Sequence, residues 1–327
     1  MTGLKTLSII SPVYNEQDGI EWFHKELCLS LKKFIKCYEI EIIYINDGSS
    51  DGSLSKLQSL QPSNGINIKL IDLSRNFGKE AALSAGIANA SGDAALTIDS
   101  DGQHPFKQIS KFLKKWEDGA EVVVGVRRTN KKEGIVKKYG SKIFYKLFNK
   151  LTNTTLIPGS TDFRLIDRKV IDEFIKLEER NRITRGLIDW LGFNREYVYF
   201  DANERQFGTA GYTFKKLAEL AVNTFVSLSA VPLFMSGYIG VLFIFLSLAS
   251  SLFIFIEQFL LGDPMHIAIS GSAILGFLTL FLIGIVLTAQ GLMGVYISRL
   301  LAEGQNRPLY VIRKETEVNS NLNSSIK

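Results

Sequence analysis

Hydrophobic positions along this chain change texture three times. From Leu7 to Val126, short runs of aliphatic residues alternate with segments whose apolar positions recur every three or four residues. Leu7-Ser8-Ile9-Ile10 reads as a buried strand that stops at Pro12. Glu41–Asn46, Ile68–Leu73, Ala94–Ile98 and Glu121–Val126 read as four more. Between them the spacing predicts helices over Gln17–Phe34, Ser53–Leu60, Lys79–Ala90 and Phe106–Trp116. Strands alternating with helices predict a doubly wound, mostly parallel α/β sheet. Ligands of such sheets bind beyond the carboxyl ends of the strands. Asn46–Asp51, Arg75–Lys79 and Asp99–His104 all fall there, so the pattern predicts one site.

After Arg128 the rhythm breaks. Lys131–Lys138 is a basic loop containing glycine. Tyr139–Leu151 is predicted helical, with Phe144, Tyr145, Leu147 and Phe148 on a broad apolar face among Lys137, Lys138, Lys142 and Lys146. It is either packed core or a membrane-surface helix. Gly159–Arg164 reads as a polar turn, Asn181–Leu191 as a helix, and Phe214–Leu228 as an amphipathic interfacial helix. The third texture is continuous. Leu233–Ile256 and Ile267–Tyr296 hold no charge except at their edges, and each exceeds the roughly 20 residues that cross a bilayer. The expected organisation is a soluble-type head over 1–205, an interfacial linker over 206–231, a two-helix transmembrane hairpin over 232–300 and a tail over 301–327. The Asn/Ser-rich end of that tail, Thr316–Lys327, is expected to be disordered.

Composition adds orientation. Net charge over the 327 residues is only +5, but Lys215 and Lys216 precede the first apolar run, and Arg299, Arg307, Arg313 and Lys314 follow the second. The loop Glu257–His266 has no Lys or Arg. The positive-inside rule then places the head and both termini in the cytoplasm, as a multi-pass protein of the cell (inner) membrane. The amino terminus, Met1–Thr6, runs directly into a strand-like segment and has no secretory signal pattern. Cys28 and Cys37 form no C-x-x-C pair, have no apparent His partners, and read as packed thiols of a reducing compartment. Small residues (Ser236 and Gly240 in one run; Gly271, Gly284, Gly291 and Gly294 in the other), with the polar Gln290, permit close helix approach and make a homo-oligomer an expectation.

Three polar clusters carry candidate chemistry. Asp99-Ser100-Asp101 closes a strand, and two carboxylates one residue apart on a turn suit a hard divalent cation that also holds phosphate; the bland alternative is a solvated turn. Asp47-Gly48-Ser49-Ser50-Asp51 either caps the next helix or offers Asp47 to a nucleobase or ribose. Arg75-Asn76-Phe77-Gly78-Lys79 sets two cations and a glycine at a strand-to-helix junction, which suits a diphosphate. It does not match the P-loop pattern.

Taken in order, Ser11-Pro12-Val13-Tyr14-Asn15-Glu16, Ile45–Asp51, Arg75–Lys79 and Asp99-Ser100-Asp101-Gly102-Gln103-His104-Pro105 resemble the family 2 glycosyltransferases of the GT-A fold, over Leu7 to about Pro308. Asp162-Phe163-Arg164-Leu165, Arg182–Leu187, Trp190-Leu191-Gly192-Phe193 and Asn306-Arg307-Pro308-Leu309-Tyr310 are similar to the polyprenyl-phosphate glycosyltransferases, the bactoprenol branch above all. One departure is Thr209-Ala210-Gly211-Tyr212, where that branch usually carries a Ser-Lys pair. The resemblance implies inverting transfer of a hexose from a nucleotide-diphosphate sugar, UDP-glucose first, to a polyprenyl-phosphate lipid such as undecaprenyl phosphate at the bilayer. UDP-N-acetylglucosamine and GDP-mannose are the alternative donors, and no nucleic acid is an expected partner. It further implies Pro12, Tyr14, Glu16, Asp47, Arg75, Lys79 and Gln103 at the nucleotide sugar. Asp101, supported by Asp99, would hold Mg2+ or Mn2+, and Arg127, Arg164 and Arg205 would meet phosphates. Asp162 would be the catalytic carboxylate.

Elementary chemistry qualifies that last role. A phosphate monoester has a second pKa of about 6 and is mostly dianionic at neutral pH. Asp162 is therefore expected either to accept a proton or to position a cation against the acceptor. Two rival readings are a non-catalytic nucleotide- or lipid-binding membrane protein and a processive polysaccharide synthase. The chain has no Q-x-x-R-W motif and too few apolar runs for the latter.

Overall fold

The computed structural model describes residues 3–63, 65–128, 157, 159–179, 182–203 and 271–318, with scattered positions between 238 and 256. The expectations for Lys131–Lys138, Tyr139–Leu151, Arg205, Phe214–Leu228, Glu257–His266 and the chain beyond Val318 lie outside the described residues.

Eight strands form one sheet: β1 (Lys5–Val13), β2 (Tyr38–Asn46), β3 (Ile66–Leu73), β4 (Ala94–Thr97), β5 (Val122–Arg127), β6 (Ser160–Asp167), β7 (Arg195–Phe200) and β8 (Ile312–Val318). Their spatial order is β7-β5-β6-β4-β1-β2-β3-β8. Helices α1 (Ile20–Leu31), α2 (Ser53–Ser59), α3 (Lys79–Ala88), α4 (Ile109–Glu117), α5 (Arg168–Ile175) and α6 (Thr184–Trp190) surround it. The central strands are buried on both faces, which is why they read as unbroken apolar runs. In β2, Ile42 and Tyr44 pack in the core that holds Phe23 and Leu27 of α1 and Phe112 of α4. Ile43 and Ile45 point the other way, among Ala82 of α3, Ile171 of α5 and Ile188 of α6.

The five strands and four helices expected before Arg128 are all present, with shifted ends. β1 runs past Pro12 to Val13, and the first predicted helix is α1 plus a short 3-10 turn, Lys32–Phe34. The sheet is mostly parallel, as expected: β1–β2, β1–β4, β2–β3 and β5–β7 pair parallel, whereas β4–β6, β5–β6 and β3–β8 pair antiparallel. Two segments differ from expectation. Gly159–Arg164 is not a turn. It enters β6, a strand whose polar start, Ser160-Thr161-Asp162, hides its period.

The segment after Pro308 is the second difference. Ile312–Val318 is an edge strand on β3, so Thr316–Val318 is ordered rather than part of a disordered tail. Lys69 of β3 meets Glu315 at 2.6 Å and Glu317 at 3.6 Å, and Arg313 Nη1 lies 3.8 Å from Asp72. Arg313 also donates to the Ser74 carbonyl, and Ser74 N–H donates to the Val311 carbonyl at 2.9 Å. Of the two cysteines, Cys28 is buried with its sulfur 3.6 Å from His24 Nε2, one helical turn away, while Cys37 is exposed. Cys28 is packed as expected; the expectation is corrected for Cys37, which is exposed, and for the absence of a His neighbour, since His24 lies beside Cys28.

The chain divides into two units, 1–213 with 308–327, and 214–307. In the second, α7 (Gly271–Gly304) is a 34-residue helix. Its stretch Phe281–Ser298 has a mean hydropathy of 1.8 and is unburied. It is the one helix among the described residues long and apolar enough to cross a membrane. A second spanning helix is not among them, although Phe243 of the first apolar run sets its ring edge-on to Phe281 at 4.7 Å.

Candidate active site

The carboxyl ends of β1, β2 and β4 feed loops that hold one another before any ligand arrives. The first and second loops are zipped by side chains. Asn15, at φ 54, accepts from Ser50 N–H at 2.9 Å through its Oδ1. Glu16 N–H donates to Ser53 Oγ at 2.8 Å, and Gln17 Oε1 accepts from Gly52 N–H at 2.8 Å. The second loop then grips the third. Asp47, 3% exposed, accepts from Phe77 N–H at 2.8 Å and from Gly78 N–H at 3.0 Å, one on each oxygen. Gly48, at φ +61, makes this possible, because a Cβ there would lie 2.2 Å from the Arg75 carbonyl carbon.

The fourth loop follows β4. Ser100 Oγ donates to the Pro12 carbonyl at 3.1 Å, and Asp101 Oδ1 accepts from Gln103 N–H at 3.0 Å. His104 is buried and stacked on Phe163 at 4.9 Å, and its Nδ1 accepts from Asp99 N–H at 3.2 Å. Burial pushes the pKa of His104 down, so the neutral ring braces the Asp99–Asp101 turn from below.

These loops enclose a cleft of about 380 Å³. Of the residues expected at a nucleotide sugar, Pro12, Tyr14, Glu16, Asp47, Lys79 and Gln103 line it, beside Asp99 and Asp101. Arg75 does not: it is exposed and lies over the Phe77 ring at 4.2 Å. Asp47 lines the cleft while each of its oxygens takes one backbone amide, which leaves each oxygen a further lone pair. Lys79, the first residue of α3, holds the centre. Its Nζ lies 2.7 and 2.9 Å from the two oxygens of Asp99 and 2.8 Å from Asp162 Oδ2. β6 delivers Asp162 to this point by pairing beside β4, where Thr97 Oγ1 donates to the Asp162 carbonyl.

The environment fixes the charge of Asp162. Burial alone would push its carboxyl up. Lys79, then Arg185, outweigh that and hold its pKa down at about 2. Arg185 and the half-buried Glu80, whose pKa desolvation raises, were absent from the expected site. Glu80 accepts from Thr184 N–H at 2.7 Å and so pins the start of α6 beside Asp162. Arg185 falls inside the Arg182–Leu187 motif, which assigned it no role, and Glu80 follows Lys79 at the start of α3.

The expected phosphate-binding arginines do not converge on the cleft. Arg164 is 2% exposed and donates through Nη1 to Asp189 Oδ1 at 2.8 Å and to the Arg185 carbonyl at 3.2 Å. Its guanidinium is consumed inside the fold, which replaces the phosphate role with a structural one. Arg127 is exposed at the end of β5, away from the cleft lining. Arg205 lies outside the described residues.

Asp99 and Asp101 are compatible with Mg2+ or Mn2+. Among the described residues no three His, Cys, Asp or Glu side chains gather into a closed cage. Two carboxylates at an open cleft instead match a cation that completes its shell with water and substrate phosphate.

Comparison with known proteins agrees with this geometry. Residues 8–175 match the profile of Glycosyl transferase family 2. An uncharacterised glycosyltransferase of Synechocystis is 39% identical over 306 residues, 94% of each chain. A prophage-derived bactoprenol glucosyl transferase of Shigella flexneri is 36% identical over 94% of this chain and 97% of its own. Among solved structures, mannosyl-3-phosphoglycerate synthase from Rubrobacter xylanophilus superposes with a TM-score of 0.50 at 17% identity, over 72% of this chain and 75% of that one.

Proposed function

The chain belongs to glycosyl transferase family 2 and is a glycosyltransferase, and from that premise we propose that it transfers a hexose from a nucleotide-diphosphate sugar, UDP-glucose first, to the phosphate of undecaprenyl or a related polyprenyl phosphate, with inversion. The observation that carries this reading is the cleft that gathers Lys79, Asp99 and Asp101, with Asp162 joined to it through Lys79. Full-length relatives named bactoprenol glucosyl transferases support the acceptor class. N-acetylglucosamine and mannose donors remain the alternatives.

An acceptor phosphate oxygen attacks the anomeric carbon, the bond to the nucleotide diphosphate breaks, and the nucleoside diphosphate leaves. The acceptor needs no base, because it is already mostly dianionic at pH 7. Asp162, with its pKa held at about 2, is poorly suited to take a proton and suited to orient Lys79 and Arg185. Asp99 and Asp101 would hold Mg2+ or Mn2+, which supplies charge neutralisation for the departing diphosphate. Pro12, Tyr14, Glu16 and Gln103 shape the donor pocket.

Strand β8 supports a membrane topology. The chain leaves the head sheet after β7 and returns to the same sheet as β8. A chain that returns to its own side of a bilayer crosses it an even number of times. With α7 taken as one crossing, this reading calls for a second within 204–270, where Leu233–Ile256 is the candidate. Lys215, Lys216, Arg299 and Arg307 then favour a cytoplasmic head; Arg313 and Lys314 no longer count as loop charges, since both belong to β8.

The test is a panel of labelled nucleotide sugars with undecaprenyl phosphate and Mg2+ or Mn2+, scored for labelled lipid. Labelled lipid from one donor supports the reading. Donor binding without lipid product from any donor would refute it in favour of a binding protein.

A further inference from the structure

We propose that Lys79 is the chain's own occupant of the cation position beside Asp99, so that a divalent cation binds the donor-free protein weakly and binds well only together with a nucleoside diphosphate that takes up the displaced ammonium. The proposal rests on the reading of Asp99 and Asp101 as the metal pair.

The geometry is specific. An ammonium has three donors and no acceptor, and Lys79 directs its own to Asp99 Oδ1 at 2.7 Å, Asp99 Oδ2 at 2.9 Å and Asp162 Oδ2 at 2.8 Å. Both oxygens of Asp99 are therefore engaged. A divalent cation reaching Asp99 must share them with a positive charge a few ångströms away, or displace it. The main chain under Asp99 is held in place, since its backbone N–H donates to the buried His104.

Displacement does not require Lys79 to leave the cleft. Its side chain is 44% exposed, and Asp162 holds it from the far side. Asn76 and Gly78, just before α3, line the same cleft. A diphosphate seated there would face the released ammonium and the incoming cation together, so each would favour the other. Binding of metal and nucleotide would then be reciprocally coupled, as any linked pair must be.

The experiment titrates Mn2+ into the full chain in detergent, with and without UDP, and reads free Mn2+ by electron paramagnetic resonance. Wild type should bind Mn2+ at least about tenfold tighter with UDP than without, within the usual range of coupling between sites. Lys79→Met should bind Mn2+ alone about tenfold tighter than wild type, with a correspondingly smaller gain from UDP. Lys79→Arg, which keeps the charge, should behave like wild type. Thermal unfolding checks that both variants are folded. Unchanged or weaker Mn2+ binding by folded Lys79→Met, with UDP-supported binding intact in wild type, overturns the proposal and leaves the metal site standing. No Mn2+ binding by wild type in either condition overturns both.

Discussion

Arg164–Asp189 and Lys79–Asp99–Asp162 are two cation–carboxylate clusters served by one strand. Asp162 and Arg164 lie two residues apart on β6 and so share a face of the sheet. Arg164 and Asp189 are only 2% and 5% exposed. The guanidinium also donates to the Thr161 and Arg185 carbonyls, and Arg195 approaches Asp189 at 3.5 Å. These guanidinium contacts all end on the fold itself, with Nη2 reaching Asp189 Oδ2 at 3.4 Å. Lys79 and Asp99 are 44% and 25% exposed and line the cleft, and Asp162, 18% exposed, is tied to it by Lys79. The same pairing of charges is scaffold where it is sealed and chemistry where a ligand can enter. Composition does not separate the two; accessibility does.

The largest expected effect of breaking the open cluster is on transfer. Asp101→Asn should lower kcat on the order of a hundredfold or more, since a catalytic cation contributes several kcal/mol and each ~1.4 kcal/mol is tenfold. Circular dichroism should be unchanged. Near-normal turnover, or full activity in excess chelator, would remove the metal assignment. Breaking the sealed cluster should act on stability instead. Asp189→Ala strands a buried guanidinium and should cost about 3–5 kcal/mol, read as a lower unfolding midpoint of the head.

A subtler contrast lies in pH. The pKa of Asp162 is held down at about 2, below an unfolded value of about 3.9. A depressed carboxylate contributes stability that is fully present above the unfolded value and lost as pH falls through the folded one. The stability difference between wild type and Asp162→Asn should be flat from about pH 5 to 9 and shrink below about pH 4. A difference that instead varies across neutral pH would mean that Lys79 and Arg185 do not hold Asp162 ionised. The smallest effect belongs to Arg313. It is 60% exposed where it approaches Asp72, so Arg313→Ala should cost no more than about 1 kcal/mol, measured by chemical denaturation.

Legibility in the sequence followed burial. β1 to β5 announce themselves because strands covered on both faces are unbroken apolar runs, such as Ile42-Ile43-Tyr44-Ile45. β6 does not, because Asp162 and Arg164 interrupt the pattern with charges whose partners, Lys79 and Asp189, are distant in sequence. β8 does not either. Ile312-Arg313-Lys314-Glu315-Thr316-Glu317-Val318 is an edge strand, and its polar face looks like a tail until Lys69 is placed beside it. Within the cleft, the motifs brought the loops together but did not announce their contacts. Lys79 was expected at the nucleotide sugar and Asp162 as the catalytic carboxylate, and the two are partners. Asp47 was assigned to the base and also holds the Phe77 and Gly78 amides. Arg164 was assigned to phosphate and proves to be buried, because an arginine in a strand carries no mark of which side of the sheet will seal it.

The most direct test of the cleft as the site of transfer is labelled-sugar incorporation into undecaprenyl phosphate by Asp162→Asn, measured from pH 7 to 9 beside donor hydrolysis by the same protein. With Asp162 positioning cations against an acceptor that ionises unaided, the variant keeps donor binding and hydrolysis, loses transfer, and does not regain it as pH rises. A steep recovery of transfer toward pH 9 would contradict this and make Asp162 the proton acceptor; loss of donor binding would contradict both roles.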